Sequence, residues 1–168
     1  MKNANLLILL SGLAATPLSA ASPCDAQAFR QFDFWLGEWE VSVAGKGTVG
    51  HNSIVPIVDG CALRETYTTP NGYHGTSYNS YNPATGKWHQ TWVDNTGLTL
   101  LLAGDYLDGV MVLTGAGVTQ DGKPVEHRIS WMRLANGDVR QLWESRPAGD
   151  AGAWGTLFDG HYSRVKTD

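Results

Sequence analysis

The chain has 168 residues, with 12 basic against 16 acidic side chains and a formal charge of −4. That length suits one domain, and the acidic balance argues against nucleic acid and anionic membrane surfaces as partners. Two cysteines with no Cys-x-x-Cys spacing leave zinc and thioredoxin-like chemistry without support.

Residues 1–22 read as an export signal. Lys2 supplies the positive start, "LLILLSGLAA" the apolar run, and "LSAAS" the small residues of a cleavage site. The run is too short to span a bilayer. Cys24 follows Pro23, where a lipoprotein signal wants Gly or Ala. Cleavage near Ser22 leaves 168 − 22 = 146 residues, a single domain over 23–168, with 11 basic against 16 acidic side chains and a charge of −5. A chain of that size buries roughly 68–70% of its unfolded surface, so it holds a real core. The expected destination is the periplasm or the exterior, with no membrane span after signal removal. In that oxidising setting Cys24 and Cys61 can pair. The closed loop would be 61 − 24 = 37 residues, for which the chain-entropy treatment gives at most about 4 kcal/mol. The alternative is two free thiols.

"CDAQAFRQFDFWLG" reads as a short helix capped by Asp25, with Phe29, Phe32 and Phe34 as its apolar contacts. From Gly37 onward the period becomes two. "EWEVSVA", "HNSIVPIV", "CALRETYTT", "GTSYNSYN" and "KWHQTWVD" are followed by "LTLLLAG", "GVMVLTG", "VEHRISWMRL", "DVRQLWESR" and "WGTLFDGHYSRV". All are short and rich in β-branched and aromatic residues. Asp-Gly at 59–60, 108–109, 121–122 and 159–160, Asn-Gly at 71–72 and 136–137, and "NPATGK" at 82–87 mark turns between them. Short links favour antiparallel neighbours. About ten such strands predict an all-β, antiparallel up-and-down barrel with a short N-terminal helix. A sandwich is the alternative, but no Pro- or Lys-guarded edge strand stands out, and closure removes edges altogether. Pro56 requires an edge-like position or a bulge.

"FDFWLGEWEV", 32–41, sets four aromatic rings around Gly37. A helix that turns sharply into a first strand benefits from Gly there. Trp39 then plugs the closed end, while Phe34 and Trp35 fix the entry angle. Arg164, from the last strand, is placed to stack on the Trp39 ring, a contact worth roughly 0.5–2 kcal/mol.

Gly-x-Trp with a terminal Arg is similar to the lipocalin and calycin pattern. "FDFWLGEWEV", "NPATGKWHQTWVD", "RQLWESR" and "FDGHYSRV", taken in order, resemble a family of exported bacterial calycin-like β-barrels of unknown function. The resemblance runs from about Phe32 to Val165. It implies the fold and an interior cavity. It implies no established activity, so no catalytic residue carries over.

Alternation assigns faces. Trp88, Gln90, Trp92 and Asp94 share one, opposite His89, Thr91 and Val93. Gln141 and Trp143 share one, opposite Arg140, Leu142 and Glu144; His127, Ile129 and Trp131 share another; so do Leu63, Glu65 and Tyr67. Faces carrying large rings should point inward, because each ring buries on the order of 150–250 Å². Glu65, Trp88, Gln90, Trp92, His127, Trp131, Gln141 and Trp143 are therefore the candidate ligand-binding residues, suited to a small, partly apolar molecule. A core filled only for stability would prefer Val, Leu and Ile. The competing reading is a satisfied polar network in a filled core, serving a structural or interaction module.

For catalysis, Glu65 and His127 form an acid–base pair if their strands meet, and Asp94 with Glu144 resembles paired carboxylates. Yet Glu144 alternates away from Trp143, and Asp94 ends its strand. There is no Gly-x-Ser-x-Gly and no His-Glu-x-x-His spacing among His51, His74, His89, His127 and His161. No motif calls for a cofactor or a metal. A haem reading rests on His161 alone: haem-binding barrels of the nitrobindin type use a histidine near the C-terminal strand as axial ligand. If Arg164 reaches Trp39 inside, alternation turns His161 outward, to the surface beside Asp159.

Overall fold

The computed structural model describes residues 22–165. The export-signal reading therefore lies, but for Ser22, outside the described residues. Ten strands run in chain order: β1 Gly37–Val43, β2 Gly47–Ile57, β3 Ala62–Thr68, β4 His74–Asn82, β5 Lys87–Asp94, β6 Thr99–Leu107, β7 Val110–Val118, β8 Pro124–Arg133, β9 Val139–Pro147 and β10 Gly155–Arg164. Each pairs antiparallel with its sequence neighbours, and β1 pairs with β10 to close the barrel. Trp39 stands opposite Arg164 in that closing ladder.

The turn signals account for most of the connectivity. Asp59–Gly60, Asn71–Gly72, Asp108–Gly109, Asp121–Gly122 and Asn136–Gly137 all fall in turns. Asp159–Gly160 does not: it lies inside β10, paired with Leu142 and Gln141. Gly160 is there for space, since an added Cβ would sit 2.4 Å from Cε1 of Phe158. Pro56 is tolerated in a closed sheet for a local reason. The β1 ladder ends at Gly37 opposite Ile54, so beyond Ile54 strand β2 has a neighbour only on the β3 side. The missing N–H of an exposed Pro56 then costs no ladder bond to β1.

The N-terminal segment is not one helix. It forms a 3-10 turn at Pro23–Asp25, the single helical turn α1 at Gln27–Arg30, and a second 3-10 turn at Asp33–Trp35. Asp25 closes the first turn instead of capping α1. Its carboxylate accepts from the Ser22 backbone N–H at 2.8 Å, the Ser22 hydroxyl accepts from Cys24 N at 3.2 Å, and the N-cap of α1 is Ala26. These breaks let successive rings turn into the barrel end. Phe32 is fully buried and lies 4.9 Å from Trp35, 5.6 Å from Trp88 and 5.2 Å from Trp131, centroid to centroid. Phe32, rather than Trp39, is thus the centre of the plug. Phe34 lies at the side, 6.0 Å from Tyr106.

Trp39 is fully buried, and its Nε1 donates to the Trp35 carbonyl at 2.8 Å. The Arg164 guanidinium stacks 4.4 Å from the Trp39 ring and donates from Nη1 to Leu36 O at 3.1 Å. Gly37 makes this possible twice over. Its φ of +134° suits only Gly, and a Cβ there would meet Arg164 Nη1 at 2.5 Å.

A disulfide joins Cys24 to Cys61, so it ties the plug to the β2–β3 turn. The Arg30 guanidinium donates to Gly60 O in the same turn. The native protein is therefore expected to take up no iodoacetamide until it is reduced and unfolded, and two equivalents afterwards. Intact mass after alkylation checks this, and two reactive thiols in protein recovered from an oxidising compartment would refute the pairing.

Candidate functional site

The plug occupies one end of the barrel, and the opposite end holds a cavity of about 240 Å³. The closed sheet places it. Positions two apart on each strand face inward, so Glu65 and Tyr67 of β3, Gln90 and Trp92 of β5, and Gln141 and Trp143 of β9 all reach it. Leu100 and Ile129 supply apolar wall from β6 and β8, and Phe158 and Tyr162 from β10. Tyr73, from the β3–β4 loop, and a half-exposed Leu157 stand at the mouth.

Five of the eight expected ligand-binding residues meet there: Glu65, Gln90, Trp92, Gln141 and Trp143. The other three do not line it. Trp88 and Trp131 belong to the plug, where both pack on Phe32, and Trp88 Nε1 donates to Gln31 Oε1 at 3.1 Å. Alternation rightly turned them inward, but it carries no information on height along the barrel. His127 is buried behind Trp143. The indole Nε1 donates to His127 Nδ1 at 3.1 Å, so the neutral imidazole that accepts this bond carries its proton on Nε2. Gly117 makes room for the ring, since a Cβ there would lie 2.5 Å from Nε2.

Below the mouth lies a ladder of buried polar groups with a consistent direction. Gln90 Nε2 donates to Asn79 Oδ1 at 2.9 Å, and Asn79 Nδ2 donates to the Ser77 hydroxyl at 2.8 Å. Ser77 donates to Glu65 Oε2 at 2.6 Å, and Asn52 Nδ2 donates to Glu65 Oε1 at 2.7 Å. Every donor points toward the carboxyl group. Strand register builds this arrangement: Ser77 is the cross-strand partner of Glu65, and Asn79 that of Gln90. Asn52, Ser77 and Asn79 were not singled out from the sequence. Nearby, the Tyr162 hydroxyl donates to Gln141 Oε1, which leaves the amide Nε2 of Gln141 as the donor toward the cavity.

Glu65 is 3% exposed. Burial raises its pKa from 4.5 to about 7, and the bonds from Ser77 and Asn52 only partly offset that rise. Burial likewise pushes the Tyr67 and Tyr162 phenols up, and the Glu65 charge adds to both shifts. At the mouth, Asp94 accepts from Tyr73 at 2.9 Å and from the Thr96 hydroxyl at 2.6 Å. Burial raises the Asp94 pKa, but those bonds outweigh it and leave the net value below the usual one.

The expected acid–base pair is not assembled. β3 and β8 lie on opposite sides of the ring of strands, with Glu65 held by Asn52 and Ser77 and His127 by Trp143. Asp94 and Glu144 are not paired either. Glu144 faces outward and binds Arg128 at 2.8 Å, while Asp94 serves the mouth loop. His161 is on the outer face too, but its neighbour is not Asp159. His161 Nε2 sits 2.7 Å from Asp138 Oδ2, whereas Asp159 pairs with Arg140 at 2.7 Å. This follows from register: His161 is opposite Arg140, so the longer arginine reaches past it to Asp159. An imidazole so placed does not address the cavity, which removes the geometric basis for a haem ligand.

The fold and site define an antiparallel barrel with one plugged end and one aromatic-walled mouth. No family model matches the chain, and no curated protein sequence matches it.

Proposed function

We propose that this protein is an exported barrel that binds a small, partly apolar molecule in its cavity. The observation that carries the reading is convergence: Glu65, Gln90, Gln141, Trp92 and Trp143, from three separate strands, border one space of about 240 Å³. That volume is below the roughly 300–1,000 Å³ of drug-sized sites, and the mix of aromatic wall and few polar groups suits a small amphipathic ligand. The resemblance of its segments to exported calycin-like barrels supports the same reading, as does a disulfide that suits an oxidising compartment. An acid–base enzyme built on Glu65 and His127 lacks its geometry.

The filled-core alternative draws support from the internally bonded ladder, and Gln141 separates the readings where Gln90 does not. Gln90 is bonded within the ladder, so Gln90→Leu is expected to cost about 1 kcal/mol of stability in either case. Gln141 points its free N–H₂ to the cavity. Gln141→Leu is expected to weaken a bound amphipathic molecule roughly threefold to tenfold through loss of one neutral hydrogen bond. Trp fluorescence titration, reporting on Trp92 and Trp143, measures this against a metabolite panel. A panel without one saturable response would overturn the binding reading.

A further inference from the structure

The chemistry of the cavity narrows the ligand class, on the footing that the cavity binds a ligand at all. A buried ionisable group is ordinarily paired with an opposite charge, because desolvating it alone is costly. Glu65 breaks that pattern. Both its oxygens accept from neutral groups, Ser77 and Asn52. No lysine, arginine or histidine lines the cavity among the described residues. The titratable groups that act on Glu65, or on which it acts, are Tyr67 on its own strand, Tyr73 from the β3–β4 loop and Tyr162 from β10, with Asp94 behind Tyr73. All are neutral or acidic. Asn52 adds to the deficit of donors, since its Oδ1 is buried with no hydrogen-bond partner.

The space next to this carboxyl group is walled by rings: Tyr67, Tyr73, Trp92, Trp143, Phe158 and Tyr162. Aromatic faces carry negative potential and attract cations, Trp most strongly. One uncompensated carboxyl group inside such a wall is complementary to a positive charge carried on an apolar body. It is the reverse of what an anion needs, because no basic group lines the cavity and the Gln141 amide offers only a neutral N–H. The geometry points to a small organic cation, an amine or quaternary ammonium with an apolar substituent, as the occupant of this cavity. Its positive head sits against Glu65 between the rings, and its apolar part lies along Leu100 and Ile129.

The ladder supports this assignment. Its donors all point to Glu65, so the ionised carboxylate is already solvated by the protein when a cation arrives. Burial holds the Glu65 pKa at about 7 in the free barrel, so near neutrality a large fraction of the group is protonated and must ionise to bind the cation. Cation binding then releases a proton, and affinity rises with pH across the Glu65 titration.

The test uses matched probes on the whole mature protein: benzylamine, benzyl alcohol and benzoate, then the phenethyl and hexyl trios. Binding is read by Trp fluorescence and by calorimetry. Within each trio the amine is expected to bind at least about tenfold tighter than the alcohol, from the cation–aromatic and carboxylate contacts together, and the carboxylate not at all. Amine affinity should rise from about pH 6 to about pH 8, where the amine stays protonated and Glu65 ionises. Glu65→Gln should narrow the gap between amine and alcohol to the part that the aromatic wall supplies, and should remove its pH dependence. The wild-type comparison and its pH dependence require no variant, so they decide the matter even if Glu65→Gln does not fold. Alcohol or benzoate binding as tightly as the amine overturns the cation assignment and leaves the binding function standing. A barrel that binds no member of any trio overturns both.

Discussion

Trp39→Ala is expected to lower the unfolding free energy by about 3–5 kcal/mol, the range for truncating large aromatics in a packed core. The ring is fully buried, and it holds three separate parts of the molecule together. Its Nε1 anchors the second 3-10 turn through Trp35 O, and its face carries Arg164 at the end of β10. Its strand also closes the barrel against that same residue. Arg164→Ala should cost less, because the guanidinium is exposed on one side and loses only the stack and the bond to Leu36 O. The double-mutant cycle should show coupling of roughly 0.5–2 kcal/mol, the worth of the cation–aromatic contact. Gly37→Ala tests the same junction with both Trp39 and Arg164 kept, since it places a Cβ against Arg164 Nη1 and strains a φ of +134°. It should destabilise too. Urea unfolding of the three single variants and the double variant measures all of this, and strictly additive effects would mean that the Trp39–Arg164 contact contributes nothing.

The same junction shows what a sequence of this kind discloses. Strand existence was legible, because alternation and Asp-Gly or Asn-Gly punctuation are local signals; the ten expected segments all became strands. Closure was legible through Gly37, Trp39 and Arg164. What local pattern could not supply was height and register. Trp88 and Trp131 face inward as expected but lie at the plugged end, because only the pairing of strands says how far along the axis a residue stands. Register also hid the ladder. In "GTSYNSYN" the large ring of Tyr78 points to solvent and is 55% exposed, while the small polar Ser77 and Asn79 are fully buried. A rule that turns rings inward would invert that strand. The inversion makes sense only once Ser77 is seen opposite Glu65, and Asn79 opposite Gln90. The expected short N-terminal helix is present as α1, but it covers only Gln27–Arg30 of "CDAQAFRQFDFWLG", for a related reason. The segment's rings are placed by the barrel end they fill, so the regular turn stops at Arg30 and the chain re-forms as a second 3-10 turn at Asp33–Trp35.

Glu65→Gln is expected to abolish a pH dependence of stability worth about 3 kcal/mol. The sign follows from linkage. The folded Glu65 pKa is about 7 against an ordinary 4.5. Between those values the folded protein holds a proton that the unfolded chain releases, so stability falls as pH rises through this window. At about 1.36 kcal/mol per pKa unit, a separation of 7 − 4.5 = 2.5 units gives about 3 kcal/mol, complete above about pH 7. Other groups work in the opposite direction. Burial lowers the His127 pKa, so that group costs stability as pH falls below its ordinary 6.5. Asp94, Asp138 and Asp159, all held below 3.8, lose stability only in stronger acid. The raised phenols titrate above 10. The difference between wild type and Glu65→Gln cancels these contributions and leaves Glu65 alone. Urea unfolding of both proteins from about pH 4 to about pH 8 should show the variant gaining on wild type across this range, with the gain ending near pH 7. A flat difference would mean that water reaches the carboxyl group in the folded barrel. Saturating benzylamine supplies a sharper version of the same measurement. A cation seated against Glu65 replaces the missing counter-charge, so the folded pKa should drop toward its ordinary value, and the wild-type slope should shrink without any substitution.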